Sequence, residues 1–230
     1  MSAIAGADLH LDVPVELAPW LSVAVPRGYG FDKASSATPL PPPVDGMISR
    51  FFKRSSARAS VVEALHLRIN EASRVPALYT HLGVPDTVEG RFECLTLHVI
   101  LVLRRMNQLP QPAADIAQDL VNAVFLQLDS SLRELGVGDF GVPKRMKKLG
   151  AAFYGRAAGY DGALDARDED GLKATLARNV IGTETPEAGA GLARYVLRSV
   201  DLLDGRDLDH LISHGPGFPS PLNLNQSGDI

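Results

Sequence analysis

Two residue pairs stand at spacings that can bring metal ligands together: Cys94 with His98, and His210 with His214, each one helical turn apart. Either pair on one helix face makes half of a tetrahedral site. Neither has companions to complete a set of three or four ligands. Cys94 and His98 also fall in the most apolar stretch of the chain, where a thiol and a satisfied histidine are ordinary core residues. His214 beside Gly215 suits a helix C-terminus, where a cation meets the negative end of the dipole. Further along, Asp161, Asp165, Asp168, Glu169 and Asp170 form an acidic run. Paired carboxylates can move protons or hold a hard cation, but a solvated face is the commoner use of such a run. The chain contains no G-x-S-x-G elbow, P-loop, dinucleotide-binding glycine motif or H-E-x-x-H. The expectation is a non-enzyme with no metal and no cofactor.

The more unusual chemistry is electrostatic. Lys144, Arg145, Lys147, Lys148 and Arg156 follow Pro143 with no acidic residue among them, and the acidic run reverses the sign just beyond. Basic residues near a helix N-terminus oppose the positive end of the macrodipole, at about 0.3–1 kcal/mol each when exposed. Stability alone would not select that arrangement, so a negatively charged partner is implied: an acidic protein, a phosphate backbone such as ribosomal RNA, or lipid headgroups. Phe153, Tyr154 and Tyr160 add the aromatic character of interface anchors. A solvated face with core aromatics is the competing reading of the same residues.

The elements that must position these residues are helices. Val61, Val62, Leu65, Ile69 and Ala72 recur at helical spacing, and Ser60 with Glu63 reads as a capping box at the start. Pro76 ends that helix and opens a short one, Ala77 to Leu82, stopped by Gly83 and Pro85. Asp86 or Thr87 caps the next, from Val88 to about Leu109, whose apolar residues run nearly all round and predict a central, buried helix. From Ala113 to Leu135, Ile116, Leu120, Val124, Leu128, Leu132 and Leu135 form an unbroken core stripe, with Gly136 as left-handed cap. The cationic helix spans Val142 to about Leu164, and Gly150, Gly155 and Gly159 are spaced to admit a close neighbour. Shorter helices follow at 172–180, 188–203 and 208–213. With no two-residue alternation, no fixed repeat and no heptad run, the fold class is all-α, an irregular multi-helix bundle.

Outside that body, residues 1–46 are rich in proline, with Pro39 and Pro41–Pro43 favouring extended geometry, and read as a disordered N-terminal extension. MISRFFKRSSARAS from Met47 reads as a functional start and a basic leader, so that residues 1–59 form a leader, 60–214 the helical domain and 215–230 a flexible tail. Residues 48–58 suit weak contact with an anionic membrane. The 230 residues, with a net charge of −4, suit one core and argue against nucleic-acid binding by the chain as a whole, including specific DNA binding. A single cysteine excludes an intramolecular disulfide and fits a reducing compartment. The longest apolar run, Cys94 to Leu103, is about half of what spans a bilayer.

Several dispersed motifs resemble one family. RELGVGDFGVPKRMKKLGAAFYGRAAGYDGAL from Arg133 to Leu164, LYTHLGVPDTVEGRFECLTLHVILVLRRM from Leu78 to Met106, and LARNVIGTE from Leu176 to Glu184 together resemble the ubiquinol–cytochrome c chaperone family. The likeness runs in order from about Leu65 to His214, and residues before Met47 stand outside it. Gly162 departs from the pattern, since many relatives carry an acidic or larger residue there. The resemblance implies a non-enzymatic helical chaperone for the cytochrome bc1 complex, with newly made cytochrome b as client. The ribosome or a small partner subunit stands as a further partner. It also implies a bacterial, cytoplasmic form peripheral to the inner membrane. The candidate partner-binding residues are Arg133, Asp139, Lys144, Arg145, Lys147, Lys148, Tyr154, Arg156, Tyr160, Asp161, Arg178 and Asn179. The alternative is a ribosome- or RNA-binding adaptor working through the basic helix after Pro143.

Overall fold

A computed structural model describes the backbone of residues 47–223 and side chains from residue 58 onward. The expectations placed on residues 1–46, on the side chains of 48–57 and on the last seven residues lie outside these. The described residues form helices without strands: α1 (Met47–Ser73), α2 (Pro76–Thr80), α3 (Val88–Asn107), α4 (Ala113–Glu134), α5 (Gly141–Ala166), α6 (Glu169–Leu176), α7 (Ala190–Asp204) and α8 (Leu208–His214). A π-turn at Ala177–Ile181 and a 3₁₀ turn at Pro186–Gly189 link α6 to α7.

α3 is the centre. Leu97, Val99, Ile100, Leu101, Val102 and Met106 are all buried, because the helix packs against α1, α4, α5 and α7 at once. Thr87 starts it by accepting a hydrogen bond from the Gly90 amide at 3.0 Å. Val62, Leu65 and Ile69 of α1, Ile116 and Leu120 of α4, Phe153 and Tyr160 of α5, and Leu192 and Val196 of α7 complete one core. Gly136 adopts the expected left-handed cap, at φ 79°.

Four expectations are corrected. Ser60 does not start a helix, because α1 already runs from Met47; residues 48–59 hold no glycine or proline to stop propagation upstream. The core stripe of α4 is not unbroken. Ile116, Leu120 and Val124 are buried, Leu128 and Leu132 half-buried, and Leu135 is 65% exposed, since the second half of α4 reaches past the packed body. The glycines of α5 do not mark a close approach. A Cβ at Gly155 would meet nothing within 4 Å, and at Gly150 and Gly159 it would make ordinary contacts of 3.7 and 3.5 Å. The close approach is instead at Gly189, where a Cβ would lie 2.3 Å from the Lys173 carbonyl oxygen as the 3₁₀ turn crosses α6. Finally, the tail does not leave the body at Gly215. Pro216 and Pro221 are buried, and the Phe218 ring packs edge-on against His98 at 4.7 Å, giving the segment an apolar seat.

Candidate functional site

The ring of His98 shows how the interior is wired. Its Nδ1 lies 2.7 Å from the Cys94 carbonyl, which can only accept, so Nδ1 carries the proton and Nε2 accepts from the Tyr195 hydroxyl at 2.7 Å. Burial holds this imidazole down to about 4, so it is neutral at ordinary pH. The Cys94 thiol donates to the Ser73 carbonyl at 3.2 Å, and burial pushes it up to about 12. Cys94 and His98 are therefore a structural pair, joining α3 to α1 and α7. His210 and His214 stack at 4.8 Å, and among the described residues no group of three or more His, Cys, Asp or Glu could share a metal.

The twelve candidate partner-binding residues divide into two groups along α5. Arg156 and Tyr160 face inward. The Arg156 guanidinium grips Glu93 of α3 through two bonds, Nε to Oε2 at 3.1 Å and Nη2 to Oε1 at 2.9 Å. Burial pushes the Glu93 carboxyl above its ordinary value, against the opposing pull of Arg156. One turn on, Arg104 of α3 holds Asp161 at 3.0 Å and Asp165 at 2.5 Å. Burial likewise raises Asp161, opposed by Arg104. The buried Tyr160 hydroxyl lies beside Asn179 of the π-turn, a contact short of a formed hydrogen bond, and burial raises its pKa. Arg178 is exposed and Asn179 half-buried. As direct partner contacts, Arg156 and Tyr160 are corrected to internal ties: both side chains are buried, and their charge or ring is spent on α3 and the π-turn.

The cations of the outer group gather toward the other end of α5, Lys144 lying about 18 Å from Arg156 at 1.5 Å per residue. Lys144, Arg145, Lys147 and Lys148 are exposed, as the sequence implied. Arg133 holds Asp129 and Asp139, both at 2.7 Å, bracing the end of α4 against the corner. Tyr154 belongs to this group through its ring. It stacks near-parallel with Phe125 at 6.5 Å and meets Phe153 edge-on at 5.5 Å, while Phe125 meets Phe153 at 5.6 Å.

Phe125 and Tyr154, backed by the buried Phe153, floor an open groove of about 640 Å³ between α4 and α5. Asn122, Phe125, Leu126, Asp129 and Arg133 form the α4 wall at three- and four-residue spacing. Pro143, Met146, Lys147, Gly150 and Tyr154 form the α5 wall in the same way. Gly150 keeps the floor open beneath Phe125. Leu126, 70% exposed, presents an aliphatic side chain at the lip. Mostly apolar walls with Arg133 and Lys147 at the rim suit a ligand that is itself apolar and helical or extended.

Sequence reasoning found Arg133, Lys147 and Tyr154 but missed Phe125, Leu126, Met146 and Gly150 as groove residues. The available signal was that α4 carries Phe125 and Leu126 beside its core stripe, more apolar surface than one stripe needs. It also missed Glu93 and Arg104 as partners of Arg156 and Asp161, although charges bounding the most buried helix require opposite partners. Among the described residues no helix is long and apolar enough to cross a membrane.

A family described as ubiquinol-cytochrome C chaperone matches residues 80–218. The chain is 26% identical over 142 residues to ubiquinol-cytochrome-c reductase complex assembly factor 1 of Xenopus laevis, covering 61% of this chain and 70% of that protein. It is 24% identical over 223 residues to the Homo sapiens protein of the same name, covering 90% of this chain and 74% of the other. That span reaches upstream of Met47, so the expected limit of the likeness at Met47 is corrected. The crystal structure of the Cbp3 homolog from Brucella abortus superimposes with a TM-score of 0.65 at 38% identity, covering 79% of this chain and 100% of the other.

Proposed function

We propose that this chain, which belongs to the ubiquinol–cytochrome c chaperone family, is a non-enzymatic assembly chaperone of the cytochrome bc1 complex that holds newly made cytochrome b. The family match together with the names of the relatives, ubiquinol–cytochrome c reductase assembly factors, supports the complex on which it works. The single observation that carries the manner of holding is the aromatic-floored groove between α4 and α5.

A nascent membrane helix is apolar over about 20 residues and has no partner until its complex assembles. Phe125, Leu126, Met146 and Tyr154 can cover part of it, while Arg133 and Lys147 meet the polar end of the segment. The largely desolvated pairs of Arg156 and Arg104 hold α5 on α3, so the groove is presented by a fixed support. The chain works from the cytoplasmic side, at the surface of the inner membrane, and residues 48–58 add a weak membrane contact. The ribosome-adaptor reading rests on the four exposed cations alone.

The test is genetic and biochemical. Deleting the gene in cells that make bc1 is expected to deplete assembled complex and its cytochrome b. A Gly150→Leu variant, whose side chain fills the groove, should fail to restore them, whereas Gly150→Ala should restore them. Normal assembly in the deletion strain sinks the chaperone reading, and full rescue by Gly150→Leu sinks the groove.

A further inference from the structure

We infer that the corner joining α4 to α5, with the first turns of α5, is a lipid-docking tip that seats the chain on an anionic membrane surface. The inference goes beyond the chaperone reading and holds whatever the client is. It starts from Phe140, whose side chain is fully exposed, and Leu135, also largely exposed. An aromatic and an aliphatic side chain held in water at a protruding corner lose apolar free energy that the headgroup–acyl boundary restores.

The cations are placed to follow them in. Phe140 has right-handed helical backbone angles, φ −75° and ψ −21°, so it continues the register of α5 backwards by one residue. Lys144 and Lys147 then share its face, with Lys148 beside them. Among the described residues, none of the four cations from Lys144 to Lys148 enters an ion pair, whereas the neighbouring carboxylates of Asp129 and Asp139 are both held by Arg133. Glu134 is the remaining acid of the tip, which therefore has five cations against three carboxylates in a chain of net charge −4.

The backbone does not supply a phosphate pocket here. The amides of Gly141 and Val142 are both directed at the Gly138 carbonyl, at 2.7 and 3.2 Å, and residue 143 is proline. Attraction rests on spread side-chain charge, which fits a carpet of lipid headgroups. The exposed aliphatic Leu135 in the same corner favours lipid over RNA, because a base gains from stacking on aromatics and gains little from an exposed leucine. A cationic tip on a chain of net charge −4 also helps to orient the chain on a charged surface.

The experiment is flotation of the full chain with vesicles of phosphatidylcholine alone or mixed with phosphatidylglycerol, compared with retention on purified ribosomal RNA. Binding is expected only to the anionic vesicles, and to fall as salt rises. Phe140→Ser should lower the partition coefficient about tenfold. Lys144→Ala with Lys148→Ala should lower it roughly twenty-five-fold, at about fivefold per cation. Val88→Ser, an exposed apolar residue at the start of α3, should leave it unchanged, and no variant should melt below the parent. The proposal is overturned if neutral and anionic vesicles bind equally or neither binds. It is also overturned if both tip variants float like the parent, or if they lose RNA retention while keeping vesicle binding.

Discussion

The two ends of α5 obey different rules. Toward its C-terminus the charges have partners on α3: Arg156 on Glu93 and Asp161 on Arg104, with these four side chains at most 17% exposed, and the more exposed Asp165 also on Arg104. Toward its N-terminus four cations face water, Phe140 is bare and an apolar groove lies open. One helix is thus tied down at one end and open to solvent at the other. Charge alone does not distinguish the two, since both ends are rich in it. Burial does, because a desolvated charge must be matched whereas a solvated one is free to meet something else.

The largest expected effect breaks the inner end. Arg156→Ala leaves the Glu93 carboxylate desolvated without its partner and should cost about 3–5 kcal/mol in urea unfolding. Replacing both residues by methionine should restore most of that loss; a double variant as unstable as the single one would show that the pair is not an isolated tie.

The second effect is pH dependence from the same interior. His98 is held to about 4 in the fold against 6.5 when unfolded, so the unfolded chain takes up its proton first as pH falls. Stability from this group is fully present above pH 6.5 and should decline by about 3 kcal/mol by pH 4. Urea midpoints at stepped pH measure it, and a His98→Gln variant, though weaker at neutral pH, should lose this component of the slope.

A smaller contrast concerns glycines. Gly189→Ala drives a Cβ against the Lys173 carbonyl and should cost about 1–3 kcal/mol. Gly155→Ala meets nothing and should gain up to about 1 kcal/mol of helix propensity. Equal shifts in Tm at both positions would remove the distinction between them. At the outer end no loss of stability is expected: Lys144→Ala with Lys148→Ala should leave Tm unchanged or slightly raised, as a cation leaves the positive end of the helix dipole, and a marked drop would mean that this face is structural after all.

Most of the helical order could be read from the sequence, because proline, glycine and capping residues punctuate it locally. Pro76 opens α2, Thr87 caps α3, and Gly136 ends α4 with the left-handed geometry expected of it. Periodicity also identified α3 as central. It misjudged how far packing extends. Leu128, Leu132 and Leu135 keep the period of Ile116 and Leu120, yet their exposure depends on where neighbouring helices stop, which no local pattern encodes. Ser60 and Glu63 have the right spacing for a cap, but a cap forms only where the helix begins. The motifs around Arg133 to Leu164 pointed to the family. They did not separate Arg156 and Tyr160, which hold the fold, from Lys144 and Lys147, which face outward, because that division depends on the partner helix.

The central claim is that the α4–α5 groove, rather than another apolar patch, receives the client. A photo-crosslinking amino acid placed at Leu126 tests it most directly, against the same probe at Leu67, an exposed leucine of α1. In cells synthesising bc1, position 126 should yield an adduct containing cytochrome b and position 67 should not. Equal adducts from both positions, or none from 126 while 67 labels the client, would contradict the account.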